Sequence, residues 1–335
     1  MLDRFAAFLD RHARVLLTTH ENPDGDGVGA AVGLAAHLKA QGREARIVVT
    51  PCLPENLRFL DPESWIEAHD PGGAHRELAG WPDAWVLVDA SEPHRMGPLF
   101  PAFEATGATR ACLDHHLKDA PAGFDEEFTD ATASASAELV YDLVRPCFPG
   151  PLPPVMAQAL YAGIVSDTGN FRHSNATPRI HHIAADLLGQ GIHPSRTYNA
   201  LYQTATPAKL KLFGRALEGL QLRGEGRFAY VAVTQADLAA CGATHEDLDE
   251  LVEEPRKLRG VEVAALFSEA ADGRAKVSLR SRERVDVNAV CRQFGGGGHR
   301  LASGAKAAMP LAAFIAQVEA AVLAQIACDM VQKIV

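Results

Sequence analysis

The chain has 335 residues, 47% hydrophobic, 22% charged and 7% aromatic, with 28 Gly and 20 Pro; this excludes a disordered polymer and, at roughly 150 residues per domain, leaves room for two cores with a cleft between them. With 42 acidic against 32 basic residues the formal net charge is −10, so the average surface repels a long nucleic-acid duplex, and any nucleic-acid substrate should be short. Six scattered cysteines without a C-x-x-C pair, the lack of an apolar run reaching about 18 residues, and a charged N-terminus without a signal pattern read as reduced thiols, no membrane span and a cytoplasmic location.

Four short apolar runs in the first 145 residues, 14–19, 45–49, 85–89 and 110–114, read as buried parallel strands linked by helices. A small-residue helix is expected at 27–41, ending at Gly42, with two more at 131–145 and 155–165. From about 176 to 225 the pattern turns helical. Strand periodicity returns at 228–233, 261–267 and 275–281 with helices between and after, giving a second, smaller α/β domain. The expected division is a catalytic domain at 1–190, a helical connector at 191–225 and a substrate-binding domain at 226–335, with the active site in the cleft.

Carboxyl ends of parallel strands line the ligand crevice of open sheets, and here they carry polar clusters. His20, Asp24 and Asp26 follow the first run, where Pro23 and two glycines force a turn; the aspartates would alternatively only cap the next helix. Asp89 ends the run at 85–89; Asp114, His115 and His116 end the run at 110–114; Asp167 follows the apolar run at 160–165. Carboxylate and imidazole without thiolate suit divalent cations, with Mn²⁺ the first choice, Mg²⁺ and Co²⁺ as alternatives.

The ordered segments HENPDGD at 20–26, VDAS at 88–91, DHH at 114–116 and DTG at 167–169 resemble the four motifs of the DHH phosphoesterases, and GGGGHRLASG at 295–304 resembles the glycine–histidine motif of the DHH-associated C-terminal domain. The resemblance covers nearly the whole chain. It implies one metal held by His20, Asp24 and Asp89 and another by Asp26, Asp89, His115 and Asp167, with Asp89 bridging. Asp114 would support these ligands or touch substrate, and His116 would act as general acid or phosphate ligand. The four glycines Gly295, Gly296, Gly297 and Gly298, with His299 and Arg300, would present backbone N–H groups and charge to a substrate phosphate. Arg280 is the further candidate phosphate ligand, from a strand-end pattern of the family; Arg282 and Arg284 read as a solvated face, and Arg172 is a weaker candidate.

Type II pyrophosphatases and RecJ-like exonucleases fit less well, the first for want of their C-terminal signature, the second on length and charge. The chain resembles instead the short-chain oligoribonuclease/pAp phosphatase group, which implies short RNA, dinucleotides or pAp (3′-phosphoadenosine 5′-phosphate) as substrates. A cyclic or linear dinucleotide phosphodiesterase is the alternative, and a non-catalytic nucleotide sensor a more remote one. A homodimer is compatible with the sequence.

Overall fold

The structure, a computed structural model, describes residues 1–116, 123–270 and 272–331. It divides into two compact units, Met1–Thr204 and Ala205–Val335.

The first unit is built on six strands, β1 (Arg14–Thr18), β2 (Glu44–Val49), β3 (Ile66–Ala68), β4 (Ala84–Val88), β5 (Thr109–Asp114) and β6 (Glu126–Thr129). All are parallel, in the order β3-β2-β1-β4-β5-β6. The chain proceeds outward from β1 to one edge and then, through β4, to the other. β1 and β4 therefore flank the switch point, where diverging loops leave a crevice at the carboxyl ends of the strands. The four expected strands are present; β3 and the acidic edge strand β6 have no strong apolar signal and were not anticipated.

The unit's helices are α1 (Leu2–Asp10), α2 (Gly25–Ala40), α3 (Phe100–Glu104), α4 (Ser136–Val144), α5 (Pro154–Asp167), α6 (Pro178–Gly189) and α7 (Pro194–Tyr202). The main core joins α1, α2, α4 and α5 to one face of the sheet, through residues such as Phe5, Val15, Leu34, Val86, Val140 and Leu160. A smaller cluster around Trp85, Leu87, Met96 and Phe103 covers the other. Small residues let α2 and α5 meet backbone to backbone. A Cβ at Gly29 would lie 2.4 Å from the Ala159 carbonyl oxygen, and one at Gly163 would lie 3.0 Å from Oδ1 of Asp26.

The second unit holds the strands β7 (Gln221–Arg223), β8 (Phe228–Val233), β9 (Val263–Glu269), β10 (Ala275–Ser281), β11 (Gly297–His299) and β12 (Ala302–Ala307). Their order is β11-β12-β10-β9-β8-β7; β8 and β9 run parallel and the other pairs antiparallel. Helices α8 (Pro207–Glu218), α9 (Gln235–Cys241), α10 (Glu253–Arg256), α11 (Val287–Arg292) and α12 (Leu311–Val331) complete it. One sheet face buries Val277, Leu279 and Phe267 under α11 and α12. The other is covered by α8, α9 and α10 mainly over β8 and β9, through residues such as Leu212, Leu238 and Leu266, with α10 also reaching β10, where Glu253 lies 3.7 Å from Arg280.

Three features differ from the sequence reading. The stretch 191–225 is shared between the units: α7 packs on α5 in the first, whereas α8 packs on α9 and β8 in the second. The glycine run is not a free loop, because Gly297–His299 pair with β12 at the sheet edge. Contrary to the expectation that no segment reaches spanning length, Leu311–Asp329 of α12 is long and apolar enough to cross a membrane by length and composition. Its Phe314, Val318, Val322 and Ile326, spaced four apart on one stripe, are buried in the second unit's core.

The α2–α5 contact sets the depth at which Asp26 sits, so Gly29→Val is expected to destabilise the first unit by about 3 kcal/mol through overpacking. Urea unfolding followed by tryptophan fluorescence, all three tryptophans lying in the first unit, measures this; an unchanged midpoint would contradict the close approach.

Candidate metal centre

Each candidate ligand is carried by a strand end or a helix end. After β1 the chain turns through Asn22, with φ 57°, and Pro23 into α2. Asp24 caps that helix, its Oδ1 accepting from the backbone N–H groups of Asp26 and Gly27 at 3.0 Å each. The capping role and a ligand role are compatible, because Oδ2 remains and lies 3.6 Å from Nε2 of His20.

Asp26, almost wholly buried, receives the start of α4: its Oδ2 accepts from the Ser136 N–H at 2.6 Å and its Oδ1 from the Ala137 N–H at 2.9 Å. A helix N-terminus favours a negative charge there. Asp89 follows β4 with φ 62°, a left-handed conformation that costs a non-glycine residue of order 1 kcal/mol and is held by its surroundings. Its Oδ1 also accepts from the Ser136 hydroxyl at 3.1 Å. At the end of α5 the Asp167 carboxylate is gripped by the Asn175 amide, which donates to Oδ2 at 3.0 Å and to the Ser134 carbonyl at 2.9 Å.

These groups converge. The two oxygens of Asp89 face different partners: Oδ2 lies 3.6 Å from Nε2 of His20, and Oδ1 lies 3.5 Å from Nε2 of His115. Nε2 of His115 is also 3.8 Å from both Asp26 and Asp167. Candidate donor atoms of His20, Asp24 and Asp89 form one compact group, those of Asp26, His115 and Asp167 a second, and Asp89 with Asp114, His115 and His116 a third.

The imidazoles are set up to offer Nε2. Nδ1 of His20 lies 3.0 Å from the Glu21 carbonyl and Nδ1 of His115 lies 3.3 Å from the Ala133 carbonyl. A carbonyl only accepts, so Nδ1 carries hydrogen and Nε2 faces the carboxylates. Nε2 of His115 is buried without a hydrogen-bond partner, as expected of an atom aimed at an ion. Asp114 lies behind the cluster: its Oδ1 accepts from Nδ1 of His116 at 2.7 Å and from the His115 N–H at 2.8 Å.

The electrostatics show a concentration of negative charge. Burial, followed by the charges of Asp89 and Asp167, pushes Asp26 well above the usual carboxylate range. Burial likewise pushes Asp167 up to about 6 against the pull of His115. Asp89 is held low: burial opposes its ionisation, but His115 and His20 more than offset this. In turn, despite burial, the carboxylates push His20 and His115 up to about 10. Among the described residues, the ion pairs of Asp24, Asp26, Asp89 and Asp167 are all with histidine. Such a donor set, oxygen and imidazole without thiolate, fits hard or borderline divalent cations.

The candidate substrate residues fall in the second unit. Register places Arg280 opposite Ala302, and Ala302 opposite His299, so Arg280 and His299 share a face of the sheet. Gly296 and Gly298 leave no room for a side chain, with a Cβ falling 2.1 Å from the Gly304 carbonyl oxygen and 2.7 Å from that of Ala302 respectively. Arg300 donates to the carbonyls of Glu283 and Arg284, and Arg282 to those of Arg256 and Leu258; both guanidinium groups thus fasten backbone. Arg172 donates to the Gly169 carbonyl within the turn after Asp167. Two supports of the metal cluster had escaped the sequence reading, the start of α4 and Asn175. The first leaves no local signal, since it lies 110 residues from Asp26; the second is a polar residue in the segment that follows Asp167.

Residues 14–164 match the model of the DHH family, N-terminal domain, and residues 227–329 match the DHHA1 domain. Over 296 residues the chain is 33% identical to the bifunctional oligoribonuclease and PAP phosphatase NrnA of Thermus thermophilus, covering 87% of this chain and 83% of that protein. It is 29% identical to the protein of the same name from Bacillus subtilis, covering 87% and 88%. Among solved structures, an exopolyphosphatase-related protein from Bacteroides fragilis has the same fold, with a TM-score of 0.89 at 23% identity over 96% of this chain and 95% of that one.

Cations bound only by the folded cluster should stabilise it by mass action, by about 2.7 kcal/mol at a concentration a hundred times the dissociation constant. Adding Mn²⁺ to chelator-treated protein is therefore expected to raise the melting temperature by roughly 5–10 °C. Asp26→Asn and Asn175→Ala should diminish the rise. A melting temperature indifferent to Mn²⁺ would remove the cluster as a metal centre.

Proposed function

Because this chain belongs to the DHH family and carries a DHHA1 domain in its second unit, we propose that it is a metal-dependent phosphoesterase hydrolysing short oligoribonucleotides to mononucleotides and pAp to AMP and phosphate. The observation that carries this reading is the division of Asp89 between two ligand groups. His20, Asp24 and Asp89 would hold one cation; Asp26, Asp89, His115 and Asp167 would hold the other. A single carboxylate with an oxygen toward each group is the arrangement that two-metal hydrolysis needs.

Two divalent cations held by these residues would supply an activated water and positive charge against the phosphoryl oxygens. Mn²⁺ suits the mixed carboxylate and imidazole donors. The chain's own residues do the rest. Asp24, Asp26 and Asp167 are pre-oriented by backbone and amide N–H groups, so they need not reorganise to receive an ion. Asp114 holds the Nδ1 side of His116, whose ring is about one-third exposed; with the ring as imidazolium, its Nε2–H would protonate the departing oxygen. In the second unit Arg280 and His299, on one sheet face, would bind the substrate phosphate away from the scissile bond; the expected glycine N–H cradle is not free, because Gly295 and Gly296 already donate to the carbonyls of Arg292 and Cys291 and Gly297–His299 pair with β12. The same relatives that support hydrolysis of short RNA and pAp are named for both activities.

The net charge of −10 argues for short substrates, because each additional phosphate beyond those met by cations and Arg280 encounters an acidic average field. The test is incubation with Mn²⁺ and a panel of pAp, RNA of about two to five nucleotides, linear and cyclic dinucleotides, pyrophosphate and a strand of about 20 nucleotides. Release of AMP from pAp and of mononucleotides from the short RNAs, with a steep loss on the long strand, is expected. Equal rates on all RNA lengths would refute the short-substrate reading, and exclusive hydrolysis of dinucleotides would replace it.

Loss of the shared ligand should be more damaging than loss of a substrate contact. Asp89→Ala is expected to lower kcat by at least about 1000-fold, several kcal/mol of barrier, with the fold retained by circular dichroism. Retention of more than about a tenth of the wild-type rate would be incompatible with bridging.

A further inference from the structure

On the sheet face of the second unit that α8, α9 and α10 leave open, β10 and β12 carry a like-charge pair: Lys276 lies directly opposite Lys306. Both are exposed, and among the described residues neither has a carboxylate within ion-pair distance. Like charges facing each other across antiparallel strands are destabilising. The opposing charges of Asp249 and Asp272 act on Lys276 and Lys306 only from beyond ion-pair distance, which leaves both ammonium groups able to receive an anion from outside the chain.

The pair borders a concavity of about 290 Å³. Along β10 the same face continues through Ser278 to Arg280, at about 6.8 Å for each two residues; the Arg280 Nε lies 3.7 Å from Oε1 of Glu253, so Lys276 and Lys306 are the cations of this floor without an ion pair among the described residues. Ser278 is opposite Gly304, so no side chain fills the middle of the floor. One wall is apolar, from Leu248, Val252 and Leu266, and the rim carries Asp249 and Glu250. Glu250 is already paired with Lys209 at 3.2 Å, and holds a left-handed φ of 71°. Cations and a hydroxyl on the floor, an apolar wall and a carboxylate acceptor on the rim match a nucleotide unit, which presents phosphate, a flat apolar face and hydrogen-bond donors. A bare inorganic anion would have no use for the apolar wall or for the carboxylate acceptor on the rim.

We propose that this pocket binds a nucleotide unit of the RNA substrate remote from the scissile bond, with its phosphate on Lys276 and Lys306. The inference rests on the reading of the chain as a hydrolase of short oligoribonucleotides, and it extends the phosphate contacts from Arg280 along β10. It gives the enzyme a means of gripping a substrate longer than a dinucleotide.

The test is equilibrium binding of a fluorescein-labelled five-nucleotide RNA with phosphorothioate linkages, which retain the charge and resist hydrolysis, to the full chain with Mn²⁺. Lys276→Met combined with Lys306→Met is expected to weaken binding by about tenfold and to lower the salt dependence by about one unit per lysine. Lys211→Met, an exposed lysine elsewhere in the unit, is the control and should bind as wild type. The double variant should melt at or above the wild-type temperature, since it removes a repulsive pair. Binding indistinguishable from the control overturns the proposal; so does a lowered melting temperature accompanying the loss, which would assign the lysines to the fold. If the wild type hydrolyses no member of the substrate panel yet binds RNA through these lysines, the pocket stands and the hydrolase reading falls.

Discussion

The constraint on which the first unit depends is the mutual repulsion of Asp24, Asp26, Asp89 and Asp167, gathered around two histidines with no lysine or arginine in ion-pair range among the described residues. Two unit charges 4 Å apart interact by about 4 kcal/mol at an effective dielectric constant of 20. The chain meets this cost with N–H dipoles in place of side-chain cations: the start of α2 for Asp24, the start of α4 for Asp26 and the Asn175 amide for Asp167. A lysine in the cluster would neutralise charge permanently and compete with an ion. Oriented dipoles stabilise the carboxylates while leaving the net charge to attract one.

The sheet topology makes that solution geometrically available. Because β1 and β4 are neighbours at the switch point, the turn after β1 and the end of β4 put His20 and Asp89 side by side. β5, next to β4, brings His115 to the other oxygen of the same carboxylate. Asp26 must then lie between α2, α4 and α5. Gly25, Gly29 and Gly163 allow that packing, since a Cβ at any of them would collide with a neighbouring helix. The glycines are thus part of the site, although none brings a side-chain donor to it.

Much of this was legible in the sequence because strand burial and ligand chemistry leave separate marks: apolar runs for β1, β2, β4 and β5, and a polar cluster at the end of three of them. The family resemblance read from the motifs agrees with the DHH and DHHA1 matches. What escaped has a common physical character. β3 and β6 are edge strands of three and four residues, too short or too polar to show periodicity. The clamp on Asp26 is made by backbone N–H groups, which any residue supplies, so Ser136 and Ala137 carry no signature. The glycine run reads locally as a loop; only its pairing with β12, a tertiary fact, turns it into an edge strand. Arg300 and Arg280 look equivalent as charges, yet Arg300 is tied to the carbonyls of Glu283 and Arg284, whereas Arg280 lines the concavity with Glu253 at 3.7 Å and the Leu279 carbonyl as its partners.

The two units share one energetic signature with opposite signs. In the first, carboxylates outnumber the positive groups around them; in the second, Lys276 and Lys306 face each other without a carboxylate partner. Each arrangement is unfavourable for folding alone, and selection for stability would replace Asp26 with an apolar residue and one lysine with an acidic one. Local violations of this kind mark places where the missing counter-charge is supplied by a ligand. A substrate of short phosphate chains together with divalent cations supplies both signs at once, which is the composition that a metal-dependent hydrolase of short oligoribonucleotides requires.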